Sequence, residues 1–484
     1  MEFLKELLNL LRYPEFGILL LALLLLGYES LRNKTKSSWM APFSMVGVAV
    51  IFALTFFYPL QYGMHWDGLY NLDALALFFK RFFLAVTFGV LWMGMVFEKK
   101  LKYGRDEFFV IPLFTTVGML LLSSAVDFIL IFVGLELVTI SFYILVAYQR
   151  EKQTSLEVGV KYLIIGALST GFMVYGIALL FGLVGSTKLA DVNTYIAYNE
   201  VSAMLLFSLL FLIVGLGFKV AAVPFHVWSP DVYEGAPTPV TAFLATASKA
   251  AGFLVLLRLF KFDAFGVDKV QESVSLVFAM VGCFTVLLGN FVATPQRNFK
   301  RLLAYSSIGH AGFLLLGLST LSNRGVSSVI IYLVVYAIAA LLAFFIITHL
   351  ASKIGGYEIS KFSGLSQREP LCAAGLIIAL ISMAGIPPLA GFVGKFSVMA
   401  ALWENGNILC LAVAIIGAVI GLGYYLRVIS VLFWNDPLPE TEKLEIPLAS
   451  QAVVVVLLVS LVVLGIWQTP LSQLLAWITG PTPS

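Results

Sequence analysis

Fourteen apolar runs follow one another along the chain, at about 14–31, 40–60, 75–97, 107–126, 127–148, 156–184, 203–229, 240–260, 273–294, 299–320, 327–351, 370–404, 408–434 and 447–468. A helix of such length, at 1.5 Å per residue, crosses the roughly 30 Å hydrocarbon core of a bilayer. Composition agrees: 60% of residues are hydrophobic and 12% charged, about half the charge of an ordinary soluble domain. A soluble core cannot absorb that much apolar sequence. The chain therefore reads as an all-α polytopic membrane protein of about 14 transmembrane helices, with a short amphipathic tail. The first run has no A-x-A-like site after it and reads as a retained helix, not a cleaved signal. No linker is long enough to hold a second soluble domain.

Basic residues orient the spans. The loops on the side facing the first connection, side A, carry Arg32, Lys34, Lys36, Lys99, Lys100, Lys102, Arg105, Arg150, Lys152, Arg297, Lys300, Arg301, Lys353, Lys361, Arg368 and Lys443. Side B carries about half as many: Lys5, Arg12, Lys80, Arg81, Lys188, Lys261, Lys269 and Arg324. By the positive-inside rule side A is the cytoplasm or its equivalent, and both termini lie opposite. That bias supports an even number of spans.

Two spans are interrupted. The seventh holds Pro224 shortly after Lys219; the twelfth holds Gly385, Ile386, Pro387 and Pro388 in its middle, then Gly391, Gly394 and Lys395. An internal proline removes a backbone donor and clashes with the preceding turn. In a bilayer the freed carbonyls are tolerated only against protein or water. Two broken spans five apart, each with a lysine near the break, point to an internal repeat with an ion site near the midplane. With spans 4–8 and 9–13 as the units, an odd helix count inverts the second against the first. The expected divisions are 1–106 (three helices), 107–262 (first five-helix repeat), 263–435 (second, inverted repeat) and 436–484 (last helix and tail).

Ionisable groups at membrane depth are the candidate machinery. Glu136 sits near the middle of span five, where a carboxylate costs several kcal/mol, on the order of 2–3 by insertion scales. Lys219, Lys249 and Lys395 are similarly deep. A dry interior favours a neutral amine and a nearby carboxylate favours the charged one, so an amine whose acidic neighbour comes and goes is a switchable proton site. Static ion pairing, snorkelling and capping of free carbonyls are the competing roles. Lys161 lies only about five residues into its run, where snorkelling competes evenly with function. His226 and His310 are relay candidates because imidazole titrates near neutrality, and each is equally a candidate core histidine. His349, near a span end beside Lys353, reads as solvated. Arg258 and Arg427 stay protonated and can anchor or pair; Tyr424 and Tyr425 read as interfacial or core aromatics. Cys283, Cys372 and Cys410 have no ligand-like spacing and read as small apolar residues. There is no complete G-x-G-x-x-G after a strand pattern and no G-x-x-x-x-G-K-[ST], hence no visible flavin, nicotinamide, haem, iron–sulfur or ATP site. One acid, several lysines and one or two histidines are the makings of a proton path. A sugar or peptide site would carry more aromatic and amide groups, and a selective channel a ring of carbonyls or like charges.

The stretch "GFKVAAVPFHVWSPDVYEGAPTPVTAFLATASKAAGF" resembles the signature of the antiporter-like membrane subunits of respiratory complex I, specifically the subunit N (subunit 2) type. "GLELVTISFYILVAY", "SLEVGVKYLIIGALSTGFMVYG", "NFKRLLAYSSIGHAGF" and "SMAGIPPLAGFVGKF" look like matching stretches, so the likeness spans nearly the whole chain. The DVYEGAP segment sets it apart from subunits L and M and from multi-subunit sodium/proton antiporters, the alternative reading. The resemblance implies fourteen helices in two inverted repeats with broken helices 7 and 12. It makes Glu136 the acid of helix five, with Lys219 its partner. It makes Lys249 the central lysine of helix eight and Lys395 the lysine of helix twelve; Lys161 matches a helix-six lysine, and His310 falls at a polar position of helix ten. It implies a proton-translocating subunit of an NADH:quinone oxidoreductase with no redox site or metal on this chain, and FMN, iron–sulfur clusters and quinone in partner subunits. The implied partners are subunits of types M, K and J, the lateral helix of L, and the lipid bilayer, without nucleic acid. The implied location is a bacterial inner membrane, or alternatively a thylakoid or organellar one. NADH, ferredoxin and F420H2 complexes share this type of subunit.

Overall fold

The computed structural model describes residues 13–31, 39–57, 62–101, 104–260, 268–436 and 446–480. The expected runs become helices α1 (Pro14–Leu31), α2 (Met40–Phe57), α3 (Ala74–Phe97), α4 (Glu107–Ser124), α5 (Phe128–Val146) and α6 (Gln153–Val184). After a break-containing seventh span come α8 (Thr238–Leu259), α9 (Asp268–Ala293), α10 (Phe299–Ser319) and α11 (Asn323–Ile354). The interrupted twelfth span precedes α13 (Ile408–Phe433) and α14 (Leu448–Ile466), and the tail forms α15 (Thr469–Thr479). Among the described residues thirteen helices are long and apolar enough to cross a membrane. The remaining run, 370–404, is split into two helices of 15 residues each. A small hairpin, β1 (Gly63–His65) with β2 (Tyr70–Leu72), joins α2 to α3.

Both expected interruptions are present. The seventh span is α7a (Ala203–Val220) and α7b (Trp228–Gly235); the twelfth is α12a (Pro370–Ala384) and α12b (Ala390–Glu404). Each leading half stops where one residue turns left-handed, Ala221 at φ 58° and Gly385 at φ 84°. The chain then closes with a bond back into the last turn, Ala222 N–H to Gly217 O at 2.8 Å and Ile386 N–H to Ile381 O at 3.3 Å, as in a Schellman end. Lipid would leave the freed groups unsatisfied, and protein partners meet them. Val223 N–H donates to Thr285 of α9 at 3.0 Å, and Phe218 O accepts from the Trp228 indole at 3.2 Å. Gly391 N–H donates to Ser382 Oγ at 3.1 Å.

Close helix contacts rest on small residues, as membrane interfaces require. Between α9 and α10, a Cβ on Gly289 would lie 2.3 Å from Gly309 N. Within α8 a π turn, Leu244–Ser248, immediately precedes Lys249. Such a widened turn re-aims the residues after it and often marks functional helices.

Loop contacts keep the two sides apart. On side B, Val126 N–H meets Leu69 O and Phe128 N–H meets Thr187 O; on side A, Phe299 N–H meets Tyr357 O and Ile359 N–H meets Arg297 O. Three residues that read as solvated are covered by neighbouring helices. Lys80 and Lys300, counted with the loop cations, are 0% and 1% exposed. Lys80 pairs with Glu15 of α1 at 2.8 Å and donates to Leu120 O of α4. His349 is buried, not solvated: its Nδ1 meets Phe345 O and its Nε2 Ser450 of α14, both at 2.9 Å. In each case a neighbouring helix rises past the position and takes the place that water would have held. Arg258 anchors as expected, gripping Asp73 with two nitrogens and Ser123 O with two. Cys283 and Cys410, far apart in sequence, touch at 3.8 Å between sulfurs. Of the orienting cations, Lys5, Arg12, Arg32, Lys34, Lys36, Lys102, Lys261 and Lys443 lie outside the described residues.

Candidate functional site

The acid and the first amine stand on either side of one helical turn. Glu136, midway along α5, accepts from Thr170 Oγ1 of α6 at 2.7 Å. Thr139, three residues on and thus on the same face of α5, takes the bond from Lys219 Nζ of α7a. The expected direct Glu136–Lys219 contact is therefore not made; a threonine hydroxyl occupies each partner's place. Lys219 is buried, its amine 5.3 Å from the Phe218 ring. It also lies in the last turn of α7a, where the negative end of the helix dipole favours a cation.

Lys249 is held differently. It is buried, and its amine donates to Ser307 of α10 twice, to the carbonyl at 2.5 Å and to the hydroxyl at 3.0 Å. Ser307 Oγ in turn donates to Tyr233 Oη of α7b at 3.3 Å.

His310 sits one turn along α10, with both ring nitrogens engaged. Nδ1 meets Tyr332 Oη of α11 at 2.8 Å and Nε2 meets Tyr425 Oη of α13 at 3.0 Å. The Tyr425 hydroxyl also bonds Ser306. A neutral imidazole has one donor and one acceptor nitrogen. One tyrosine must therefore donate while the other accepts, and reversing the tautomer reverses both hydroxyls. Such a line can pass a proton along α10 without leaving a charge behind. It ends at a cavity of about one water's size, lined by His310, Tyr332, Tyr336, Ser382, Gly391 and Lys395 among others. Lys395 of α12b is buried there. Its amine donates back to Ala384 O, the last residue of α12a, at 2.9 Å, and lies 5.2 Å from the Phe313 ring.

Lys219, Lys249, His310 and Lys395 are thus buried on neighbouring helices, with Glu136 half-buried beside them. Lys161 and His226 stand apart. Lys161 is 45% exposed and pairs with Glu157 at 2.8 Å and Asp231 at 3.2 Å. His226 lies in the break after α7a with a buried Nδ1 that has no hydrogen-bond partner, and no bond joins it to the lysines. Among the hydroxyl partners, Tyr425 reads from sequence as an interfacial or core aromatic, while Tyr233, Ser307 and Tyr332 carry no signal of their own. Hydroxyls occur throughout apolar helices, and only the facing helix singles out Tyr233, Ser307, Tyr332 and Tyr425. Among the described residues no group of three or more His, Cys, Asp or Glu side chains forms a metal-holding cluster.

Residues 125–421 match the family described as "NADH:quinone oxidoreductase/Mrp antiporter, TM". The chain is 40% identical over 431 residues to NADH-quinone oxidoreductase subunit N of Desulforamulus reducens, covering 89% of this chain and 90% of that protein. It is 39% identical over 460 residues to the protein of the same name from Heliobacterium modesticaldum, covering 94% and 95%. Its fold is similar to a chain of respiratory complex I from Thermus thermophilus, with a TM-score of 0.79 and 30% identity over 94% of this chain and 97% of that one.

Proposed function

Because this chain belongs to the NADH:quinone oxidoreductase/Mrp antiporter membrane family, we propose that it is a subunit-N-type, proton-translocating member of the membrane arm of a complex I-type quinone oxidoreductase. Redox chemistry takes place in other subunits, which carry the FMN, iron–sulfur clusters and quinone. This chain moves protons from side A, the cytoplasm, to side B of a bacterial inner membrane, with both termini on side B. Residues 107–262 and 263–435 act as two inverted units, and subunits of types M, K and J and the lateral helix of L are its neighbours.

The observation that carries this reading is the burial of three amines, Lys219, Lys249 and Lys395, two of them on hydroxyls of facing helices and the third at a cavity shared with His310. Against about 150–200 mV, moving one charge costs roughly 3.5–4.6 kcal/mol. At 1.36 kcal/mol per pKa unit, the sites must swing by about three units per cycle. Glu136 and Lys219, each on a threonine and the second bound one turn of α5 from the first, are poised to form or release a direct pair, and in a dry interior that change supplies a swing of that order. Lys249 then takes the proton and passes it through the α10 hydroxyls and His310 to Lys395. Lys161 and His226 serve at the margin of this path.

Replacing Lys219 by alanine in the assembled complex tests the reading. Coupled quinone reduction and proton pumping are expected to fall sharply with subunit composition intact; wild-type pumping would refute it. The family also includes Mrp antiporters. Sodium-dependent, redox-independent exchange in vesicles would place the chain with them.

A further inference from the structure

Lys300, the second residue of α10, is a buried amine outside the path just described. Its Nζ donates to two backbone carbonyls at the end of α7b, Glu234 O at 3.0 Å and Ala236 O at 2.6 Å, and stands 4.9 Å from the Tyr357 ring. No carboxylate is paired with it among the described residues. The Glu234 carboxylate is instead taken by Arg301 at 3.0 Å and by Asn298 at 3.1 Å. Asp231 is taken by Arg301 at 2.9 Å and Lys161 at 3.2 Å. These carboxylates are 34–43% exposed on the side-A face of α7b. The charges facing Lys300 are Glu234 of α7b, Lys100 at the end of α3 and Lys152 before α6. Tyr357 adds none, because burial raises its phenol above the ordinary value.

Towards the interior, the same short helix presents Tyr233, whose hydroxyl accepts from Ser307, the serine that holds Lys249. Ser307 lies seven residues beyond Lys300 on α10, two turns along one face or about 10 Å. α7b therefore carries exposed acids on its outer side, caps its end with one buried lysine, and touches the hydroxyl of the next lysine's partner. The arrangement is a graded series from side A to Lys249.

We propose that Lys300 is the side-A loading residue for Lys249. Its ammonium gives a proton, through the Tyr233 and Ser307 hydroxyls or water, to neutral Lys249. The neutral Lys300 amine then takes a proton from side A across the Asp231–Glu234–Arg301 cluster. The N–H bond broken at Lys300 is matched by the one formed at Lys249, each relaying hydroxyl exchanges one O–H for another, and one proton moves inward. This rests on the reading of Lys249 as a transfer site.

The competing role is a static cap for the α7b carbonyls, and substitution separates the two. Arginine keeps the donors but cannot release its proton; histidine releases one at lower pH. In the purified whole complex, reconstituted and checked for subunit composition, Lys300→Arg is expected to lower pumping by about tenfold or more. Lys300→His is expected to pump with the alkaline limit of its side-A pH profile moved towards acid. Wild-type pumping by Lys300→Arg, or a Lys300→His profile that matches wild type, would overturn the assignment. Lys249→Arg in the same assay tells the two ideas apart. If it is inactive while Lys300→Arg pumps normally, only the loading role falls. If it too pumps normally, the transfer role of Lys249 falls and the loading role with it.

Discussion

The two interrupted helices meet the same backbone problem with different residues. α7a ends on an alanine forced to φ 58°, α12a on a glycine at φ 84°. Each break keeps an amine at the negative end of its leading half. Lys219 is there by sequence, in the last turn of α7a. Lys395 comes from the trailing half, α12b, and reaches back to the final carbonyl of α12a. Their surroundings differ too. Lys219 is one turn of α5 away from an acid, whereas Lys395 faces His310, tyrosines and a small cavity. A helix end that attracts a cation is thus the shared device, and the neighbour that modulates the cation is what varies: an acid in one half, a neutral relay in the other.

That comparison can be broken most directly at the amines. Lys219→Ala and Lys395→Ala are each expected to reduce proton pumping by about a hundredfold, measured in proteoliposomes at verified assembly. Should only one do so, the two breaks are not functional counterparts. Gly385→Ala comes next. The new Cβ would sit 2.6 Å from Lys395 Cδ and hold an L-residue left-handed, at a cost of about 1–2 kcal/mol. Pumping is expected to drop about tenfold with the amine displaced, and a cryo-EM map of the variant would show Lys395 turned away from Ala384 O.

Smaller effects sharpen the contrast between acid and relay. Tyr425→Phe and Thr139→Val each remove one hydroxyl worth about 1 kcal/mol, or about fivefold in rate. Tyr425→Phe is expected to slow pumping without altering the response to Glu136→Gln. Thr139→Val is expected to be non-additive with Glu136→Gln, because both act on the same turn; a double-mutant cycle on pumping rate reads this. The smallest effect is expected at Ala221→Gly. Relief of the left-handed alanine, about 1 kcal/mol, is largely offset by glycine's greater freedom when unfolded. Thermal unfolding in detergent should move by no more than a few degrees, with turnover unchanged.

Much of this was legible from residues alone. Span number and order, both breaks and the deep positions of Glu136, Lys219, Lys249 and Lys395 follow from local rules. A helix in lipid must be long, apolar and internally bonded, and a proline or a charge within it is visible against that background. The loop cations were harder to read. Lys80 is the seventh residue of α3 and Lys300 the second of α10, and distance from the end does not reveal whether a neighbouring helix covers them. Lys80 is covered by Glu15 and α4, and Lys300 by the end of α7b. His349 is covered in the same way, by Ser450 of α14.

Residue order alone sets which charges enter the membrane and where the backbone must be interrupted to receive them, because both are consequences of one chain segment meeting hydrocarbon. Helix packing chose their partners: Thr139 for Lys219, Ser307 for Lys249, two tyrosines for His310, and the carbonyls at the end of α7b for Lys300. Those partners lie far along the chain, on helices whose rotation and depth are fixed by close interhelical contacts such as Gly289 on Gly309. A hydrogen bond of about 3 Å depends on that rotation, which no single segment encodes.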